Sequence, residues 1–305
     1  MFDLAIIGGG PAGVAAGVYA ARKRLKTILI TESFGGQSTE SQGIENWIGW
    51  KSIPGVEFGK MLEEHLRHYA GEFVEIDLGN KVKKISGASG NFQIETEKGK
   101  AYSAKTVLVA TGSTRRKLDI PGAKEFENKG ISYCASCDGP VFAGQDVAVI
   151  GGGNAAFETA AQLLNYANSV TLLNRSNAFK ADPSTVEKVL SHPKMKSVMD
   201  AAPKEIRGDK FVNTLIYQNA DGEHELKVSG IFVEIGLVPT TYFAEGLVDM
   251  NKIGQIVVDP KTQLTSAAGV WAAGDSTDGL YHQNNIAAGD AVKALEDIYL
   301  HLHAK

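Results

Sequence analysis

The chain has 305 residues, enough for two domains that each bury a core. Hydrophobic residues make up 43%, charged residues 22%, and 34 positions are glycine, which excludes fibrous and low-complexity classes and describes a turn-rich globular protein. A net charge of −4 without a Lys/Arg run offers no footprint for nucleic acid, and no apolar segment reaches the roughly 20 residues that span a bilayer.

The opening segment Met1 to Ile7 lacks a basic region and runs into glycines, so it reads as a strand and not as a signal peptide. Residues 3–7 suit a buried parallel strand. They lead into Gly8-Gly9-Gly10-Pro11-Ala12-Gly13 and a helix predicted over 11–23, whose small residues permit close helix–strand contact. A second strand is expected at 25–30. Glu32 follows it, about 20 residues beyond the glycines, where a dinucleotide's ribose needs a carboxylate. G-x-G-x-x-G alone is weak; strand, helix and acid in this order make a nucleotide-binding unit. Gly35 and Gly36 would let backbone approach a flat ligand. A helix is predicted over 61–69, antiparallel strands over 81–102, and an apolar strand over 106–110 stopped by Thr111-Gly112. The polar stretch 119–130 reads as the passage between domains.

Cys134-Ala135-Ser136-Cys137-Asp138-Gly139 holds both cysteines of the chain. Two cysteines do not make a disulfide framework; a lone Cys-x-x-Cys points to redox chemistry in a reducing compartment, so cytoplasm is the expected location. Zinc needs four ligands, and His65, His68, His301 and His303 read as helix-end or exposed residues, so no metal is expected. An apolar run, 147–150, then enters a second turn, Gly151-Gly152-Gly153-Asn154-Ala155-Ala156, followed by a helix over 154–166 and a strand over 169–173. Where the first unit has its acid, this one has Asn174, with Arg175 and Lys180 nearby. A ribose diol needs an acid and a 2′-phosphate needs cations, so the residues favour NADPH while leaving open NADH or no pyridine nucleotide. Residues 204–235 alternate around Asp221-Gly222, a hairpin signal. The chain is expected to return to the first domain after 235–239, to form a short strand ending at Asp275, and to close with a helix over 287–302.

Together these motifs resemble the low-molecular-weight, bacterial-type thioredoxin reductases, from residue 3 to about residue 300. The carriers are Gly8-x-Gly10-x-x-Gly13, Gly35-Gly36-Gln37, Ile44-Glu45-Asn46, Ala110-Thr111-Gly112, Cys134-x-x-Cys137-Asp138-Gly139, Gly151-x-Gly153-x-x-Ala156, and Ala273-Gly274-Asp275 with Tyr281-x-Gln283. Phe34-Gly35-Gly36-Gln37, Asp138-Gly139-Pro140 and Lys180-Ala181-Asp182 are closer still to the flavoprotein subunit of alkyl hydroperoxide reductase. The N-terminal thioredoxin-like extension of that relative has no counterpart in this sequence, so the dithiol's partner is expected to be a separate molecule.

The resemblance implies an α/β fold of two Rossmann-like, three-layer (ββα) nucleotide-binding domains, the second inserted in the first. An FAD-binding domain would cover 1–113 and 246–305; an NAD(P)H-binding domain over 117–243 would carry the dithiol. FAD would be held by Gly8, Gly10, Pro11, Ala12, Gly13, Glu32, Gly36, Gln37, Asn46, Thr111, Gly112, Gly274, Asp275, Gln283 and Asn284. NADPH would be held by Gly151, Gly153, Asn154, Ala155, Asn174, Arg175 and Lys180. Electrons would pass from NADPH via FAD to Cys134–Cys137 and on to a thioredoxin-like or glutaredoxin-like protein. In that scheme Cys137 faces the flavin, Cys134 attacks the partner, and Asp138 moves the thiol protons. A cytoplasmic homodimer without membrane or nucleic-acid partners is also implied, as is a rotation of one domain against the other, with Gly112 and Gly246 as candidate hinges.

Two departures matter. The family's phosphate motif, His-Arg-Arg-x-x-x-Arg, runs here from Asn174 to Lys180, and lysine cannot make arginine's bidentate fork. His282 stands where arginine is common. Four alternatives stay open: reduction by ferredoxin or another non-pyridine donor, an NADH-dependent reductase of a peroxiredoxin system, an oxygen-dependent dithiol oxidase, and a non-catalytic flavin redox sensor.

Overall fold

The structure, a computed structural model, describes residues 1–41 and 43–304. The first parallel unit forms from β1 (Phe2–Ile7), α1 (Pro11–Arg22) and β2 (Thr27–Thr31). Every residue of β2 is buried, as in a sheet covered on both faces. Pro11 opens α1, where its missing N–H is no loss. Gly17 lets α1 meet α2 (Gly55–Ala70), since a methyl there would lie 2.7 Å from Leu66 Cδ1. β3 (Val74–Leu78) extends the sheet, and β4 (Val82–Ala88) and β5 (Asn91–Thr96) form an antiparallel hairpin.

β6 (Ala101–Val109) is one strand where the sequence suggested a hairpin strand ending at 102 and a separate strand from 106. Its first half pairs antiparallel with β5, its second half parallel with β1. Mixed exposure gives way to continuous burial at Thr106, so one strand carries two sequence patterns.

The chain crosses to a second unit at β7 (Ser113–Arg115). There follow β8 (Ile131–Ser132), α3 (Ala135–Asp138), β9 (Asp146–Ile150), α4 (Asn154–Leu163), β10 (Ser169–Leu173), α5 (Pro183–Leu190) and β11 (Met195–Val198). A meander of β12 (Ala202–Gly208), β13 (Val212–Asn219) and β14 (Gly222–Lys227) precedes β15 (Gly230–Val233). β16 (Leu237–Pro239) pairs with β7, and β17 (Val270–Ala272) and α6 (Asn284–His303) complete the first unit.

Two compact units result: Met1–Thr114 with the chain from Val238 onward, and Arg115–Leu237. The first holds a sheet ordered β3-β2-β1-β6-β5-β4, with β17 also paired to β6. Leu4, Ile6 and Leu29 pack on α1, α2 and α6, while Ile7, Ile28 and Ile30 pack with Phe92, Phe243 and Ile256. The second holds an all-parallel sheet, β11-β10-β9-β15-β8, and the antiparallel meander. The stretch 119–130 is not the passage: Ala123 and Phe126 lie in the second unit's core beside Ile206 and Val212. Gly122 there has φ +82°, and a methyl on it would sit 2.0 Å from Ile206 O. No helix among the described residues is long and apolar enough to cross a membrane.

Candidate active site

Gly8 to Gly13 join β1 to α1, and an added methyl shows what each glycine answers to. At Gly8, with φ +118°, it would lie 2.2 Å from Ala110 O; at Gly13 it would lie 1.9 Å from Gly8 O. Packing demands those two. At Gly10 the methyl would meet nothing within 4 Å. Gly36 borders the gap, its own methyl position 3.6 Å from Gly10 Cα. The start of α1 carries no side-chain cap, so free N–H groups and the positive helix end face an open cradle. A dinucleotide's diphosphate fits this chemistry, and the residues fit FAD.

The rest of the first group gathers around that turn. Glu32 follows β2 and pairs through Oε2 with Lys81 Nζ at 2.9 Å. Gln37 Nε2 donates to the Ser113 carbonyl. Asn46 Nδ2 donates to Gln283 Oε1 at 3.1 Å, Ser38 Oγ to Asn284 Oδ1 at 2.9 Å, and Asn285 Nδ2 to Asn46 O at 2.7 Å. These bonds stitch the loop after β2 onto the start of α6. Thr111 Oγ1 donates to Thr240 O at 2.6 Å, and Gly112 has φ +65°. Gly274 seats α6 against α1: a methyl on it would lie 3.0 Å from Ala287 Cβ and 3.5 Å from Ala12 Cβ. Asp275 follows, its Oδ1 3.4 Å from His282 Nδ1. His282 thus has a carboxylate partner that the sequence did not reveal.

The second turn divides its roles the same way. Methyls at Gly151 and Gly152 would lie 2.3 Å from Glu234 O and 2.2 Å from Asn174 Oδ1, while at Gly153 nothing lies within 4 Å. A methyl at Gly151 would also come within 3.0 Å of Ala156 Cβ, so the glycine at 151 leaves room for the alanine at 156. Asn154 Oδ1 accepts from Asp182 N at 2.8 Å, and Ala155 is exposed on the first turn of α4. Asn174 is buried, and its Nδ2 donates to Ser176 O and Ala178 O, both at 2.9 Å. Its amide therefore holds the loop. Arg175 and Lys180 are exposed, and Lys180 N donates to Gly152 O at 2.7 Å, which fixes a cation's backbone beside the open glycine.

Cys134 and Cys137 form a disulfide with Cα atoms 5.3 Å apart. Cys134 caps α3, its Sγ accepting from Cys137 N at 3.2 Å. Ser132, at the end of β8, donates its hydroxyl to Asp138 Oδ2 at 2.5 Å and accepts from Cys134 N at 3.1 Å. Burial pushes the Asp138 carboxyl above the ordinary range, partly offset by the Ser132 hydroxyl and the Arg115 charge. An acid of that kind, one residue from a cysteine, is suited to exchanging protons with thiols. Sequence reasoning missed Ser132, Arg115 and Glu234. An acid directly after the apolar run 230–233 was the available signal for Glu234.

A disulfide sharing one sheet edge with a nucleotide turn is the arrangement of an enzyme that moves electron pairs between a dinucleotide and sulfur. A family model for pyridine nucleotide-disulphide oxidoreductases matches residues 2–291, and the chain belongs to that family, whose members use FAD and a pyridine nucleotide. The thioredoxin reductase from Giardia duodenalis superposes with a TM-score of 0.93 at 34% identity, covering 100% of this chain and 99% of that one. The NADH dehydrogenase of Bacillus subtilis (strain 168) is 41% identical over 295 residues, 96% of this chain and 57% of its own length. The F component of alkyl hydroperoxide reductase from Pseudomonas aeruginosa is 38% identical over 304 residues, 99% of this chain and 58% of its own length. The chain thus spans little more than half of the curated relatives it matches. The family resemblance and the Rossmann-like α/β fold both hold.

Proposed function

We propose that this chain passes electrons from NADPH, through FAD and Cys134–Cys137, to the disulfide of a thioredoxin-like or glutaredoxin-like protein. The observation that carries the reading is the disulfide capped onto α3 with a desolvated, hydrogen-bonded Asp138 in the same turn. The unit built on β1 is the FAD-binding domain and Arg115–Leu237 the NAD(P)H-binding domain.

At the first turn, Gly8, Gly10, Pro11, Ala12 and Gly13 receive the diphosphate and Glu32 offers its carboxylate to a ribose. Gly36, Gln37, Asn46, Thr111, Gly112, Gly274, Asp275, Gln283 and Asn284 shape the remaining wall. FAD, when bound, supplies a carrier that takes a hydride from a nicotinamide and hands an electron pair to a disulfide. Gly151, Gly153, Asn154 and Ala155 receive the second diphosphate, with Arg175 and Lys180 placed for a 2′-phosphate and Asn174 holding their loop.

In the dithiol form, Asp138 takes the Cys134 proton. The thiolate bonds to one partner sulfur; the other partner sulfur leaves and takes up a proton. Cys137 then displaces the partner from Cys134, its own proton going to the second leaving sulfur. The partner gains two electrons and two protons, and the Cys134–Cys137 bond is restored. Likeness to thioredoxin reductases supports a homodimer working in the cytoplasm, away from membranes and nucleic acids.

Anaerobic stopped-flow mixing of the flavin-loaded protein with NADPH and with NADH tests the donor. NADPH should bleach the flavin faster. Bleaching by dithionite but by neither nucleotide would reject the pyridine-nucleotide step and favour a ferredoxin-type donor. A second reading, NADH feeding a peroxiredoxin system, is favoured by one observation: the Asn174 amide is spent within its own loop, leaving only two exposed cations for the phosphate. Faster bleaching by NADH would establish the donor of that reading.

A further inference from the structure

The all-parallel sheet of the second unit reverses its strand order between β9 and β15: β10 and β11 follow β9 outward on one side, while β15 and β8 lie on the other. A dinucleotide crosses an open α/β sheet at such a reversal, outside the carboxyl ends of the strands. Its adenosine half lies toward the strand that returns after the glycine turn and helix, which here is β10. The nicotinamide half therefore falls on the β15 side. Register fixes what stands there. Ile150 pairs with Leu173 of β10 and with Val233 of β15, so Asn174, Gly151 and Glu234 leave the sheet at one level. β8, next beyond β15, leads to Cys134. The loop after β10 offers the exposed cations Arg175 and Lys180, whereas the end of β15 offers an acid.

That acid is anchored at three points. Glu234 N–H donates to Ile150 O at 2.8 Å, and a methyl at Gly151 would sit 2.3 Å from Glu234 O, so its backbone abuts the turn. Thr159 Oγ1, from a buried residue of α4, donates to Glu234 Oε1 at 2.8 Å. Within the unit Oε2 takes no hydrogen bond, yet it is open to solvent, because no sealed side-chain oxygen among the described residues lacks a partner. One oxygen is held and the other is presented beside the glycine turn. Partly burying a carboxylate costs free energy, and neither the turn nor the thiol chemistry derived above uses this one. A donor on a ligand would offset that cost.

We propose that Glu234 binds the nicotinamide half of the nucleotide, its Oε2 accepting from an N–H of the carboxamide or an O–H of the adjoining ribose. This rests on the reading of the second glycine turn as a pyridine-nucleotide site. Thr159 is the positioning residue that aims the carboxylate. The adenosine half, on the β10 side, gains nothing from either residue, so the two halves of the ligand report separately.

Calorimetric titration of the oxidised, flavin-loaded full chain with NADP+ and with 2′,5′-ADP, which lacks the nicotinamide half, tests this; NAD+ and ADP form the same pair without the 2′-phosphate. E234L keeps bulk at the position and removes both oxygens; E234A removes the side chain beyond Cβ. Each should weaken the dinucleotide about tenfold, the weight of one hydrogen bond to a charged group, and change 2′,5′-ADP less than about twofold. T159V, which frees the carboxylate to turn away, should weaken the dinucleotide about threefold and leave 2′,5′-ADP unchanged. The 3-acetylpyridine analogue of NADP+ has no carboxamide N–H. Weaker binding of it than of NADP+ by wild type, with the difference gone in E234L, identifies the carboxamide as the donor; a tenfold loss in E234L for both identifies the ribose. Dinucleotide affinity that is unchanged in both Glu234 variants, or that falls in step with 2′,5′-ADP affinity, overturns the role of Glu234 and leaves the reading of the turn intact. A wild-type protein that binds none of these nucleotides overturns both.

Discussion

A glycine can be kept for the protein's sake or for a ligand's, and a methyl group distinguishes the two. Gly13→Ala would force its methyl to within 1.9 Å of the Gly8 carbonyl. It should destabilise the flavin-free protein by about 1–3 kcal/mol, the ordinary range for overpacking, read as a lowered melting temperature. Gly10→Ala meets no protein atom within 4 Å. It should leave flavin-free stability within about 0.5 kcal/mol while the purified protein loses its bound flavin, read from visible absorbance. Equal flavin content in Gly10→Ala and wild type would remove the cradle from the argument. Asp138 makes a different demand. Asp138→Asn should slow thioredoxin turnover by about 10²–10⁴-fold, the usual weight of a positioned acid–base group, with flavin bleaching by the donor unchanged. Its raised pKa also has a stability sign: the neutral acid is favoured in the fold, so that contribution is complete below the unfolded value and is lost as pH rises through the folded one.

Elements show where local sequence speaks and where topology overrides it. β1, α1 and β2 were legible because an apolar run, a glycine turn and small helix residues follow one another within about thirty positions. β6 was not, because one strand changes neighbours half-way. α5 was missed although Asp182-Pro183 announces it: Asp182 Oδ1 accepts from Ser184 N at 3.0 Å and Thr185 N at 3.3 Å, an N-cap with proline at the first helical position. A buried polar cluster at the end of β3 gives the element-scale prediction. Asp77 accepts from Asn80 Nδ2 at 2.9 Å and Lys100 Nζ at 2.7 Å, and Asn80 Nδ2 also donates to Thr96 Oγ1 at 3.1 Å. Burial raises the Asp77 pKa, but these donors outweigh it and hold the carboxyl below the ordinary range. Asp77→Ala should cost about 1–3 kcal/mol in denaturant unfolding, because Asn80 loses a buried acceptor. Lys100→Ala should cost clearly less than Asp77→Ala, its side chain being 58% exposed. The contribution of Asp77 is present above the unfolded carboxylate pKa and disappears as pH falls through the folded one.

At the scale of the molecule, the proposed flavin cradle lies on one compact unit, the disulfide and the second glycine turn lie on the other, and the chain passes between the units at the β7–β16 ribbon. The cysteines and both glycine turns were readable because their chemistry is written in local spacing. The place of Glu234 between the dithiol strand and the second turn was not, since sheet pairing joins positions far apart in the chain that no spacing rule connects. The division of stations makes the half-reactions separable. Replacing Cys134 and Cys137 together by serine removes the dithiol and leaves both glycine turns, Glu32 and the α6 stitching untouched. The double variant should retain its flavin and bleach with the donor at close to the wild-type rate, while thioredoxin reduction falls to background. Cys134→Ser alone should also abolish turnover, because Cys137 alone can form a mixed disulfide but has no second thiol to resolve it. If thioredoxin is still reduced by the double variant, electrons leave the flavin by another route, and the disulfide is a structural bond in this chain. Loss of donor bleaching in a folded, flavin-loaded double variant would show instead that the two stations cannot be separated.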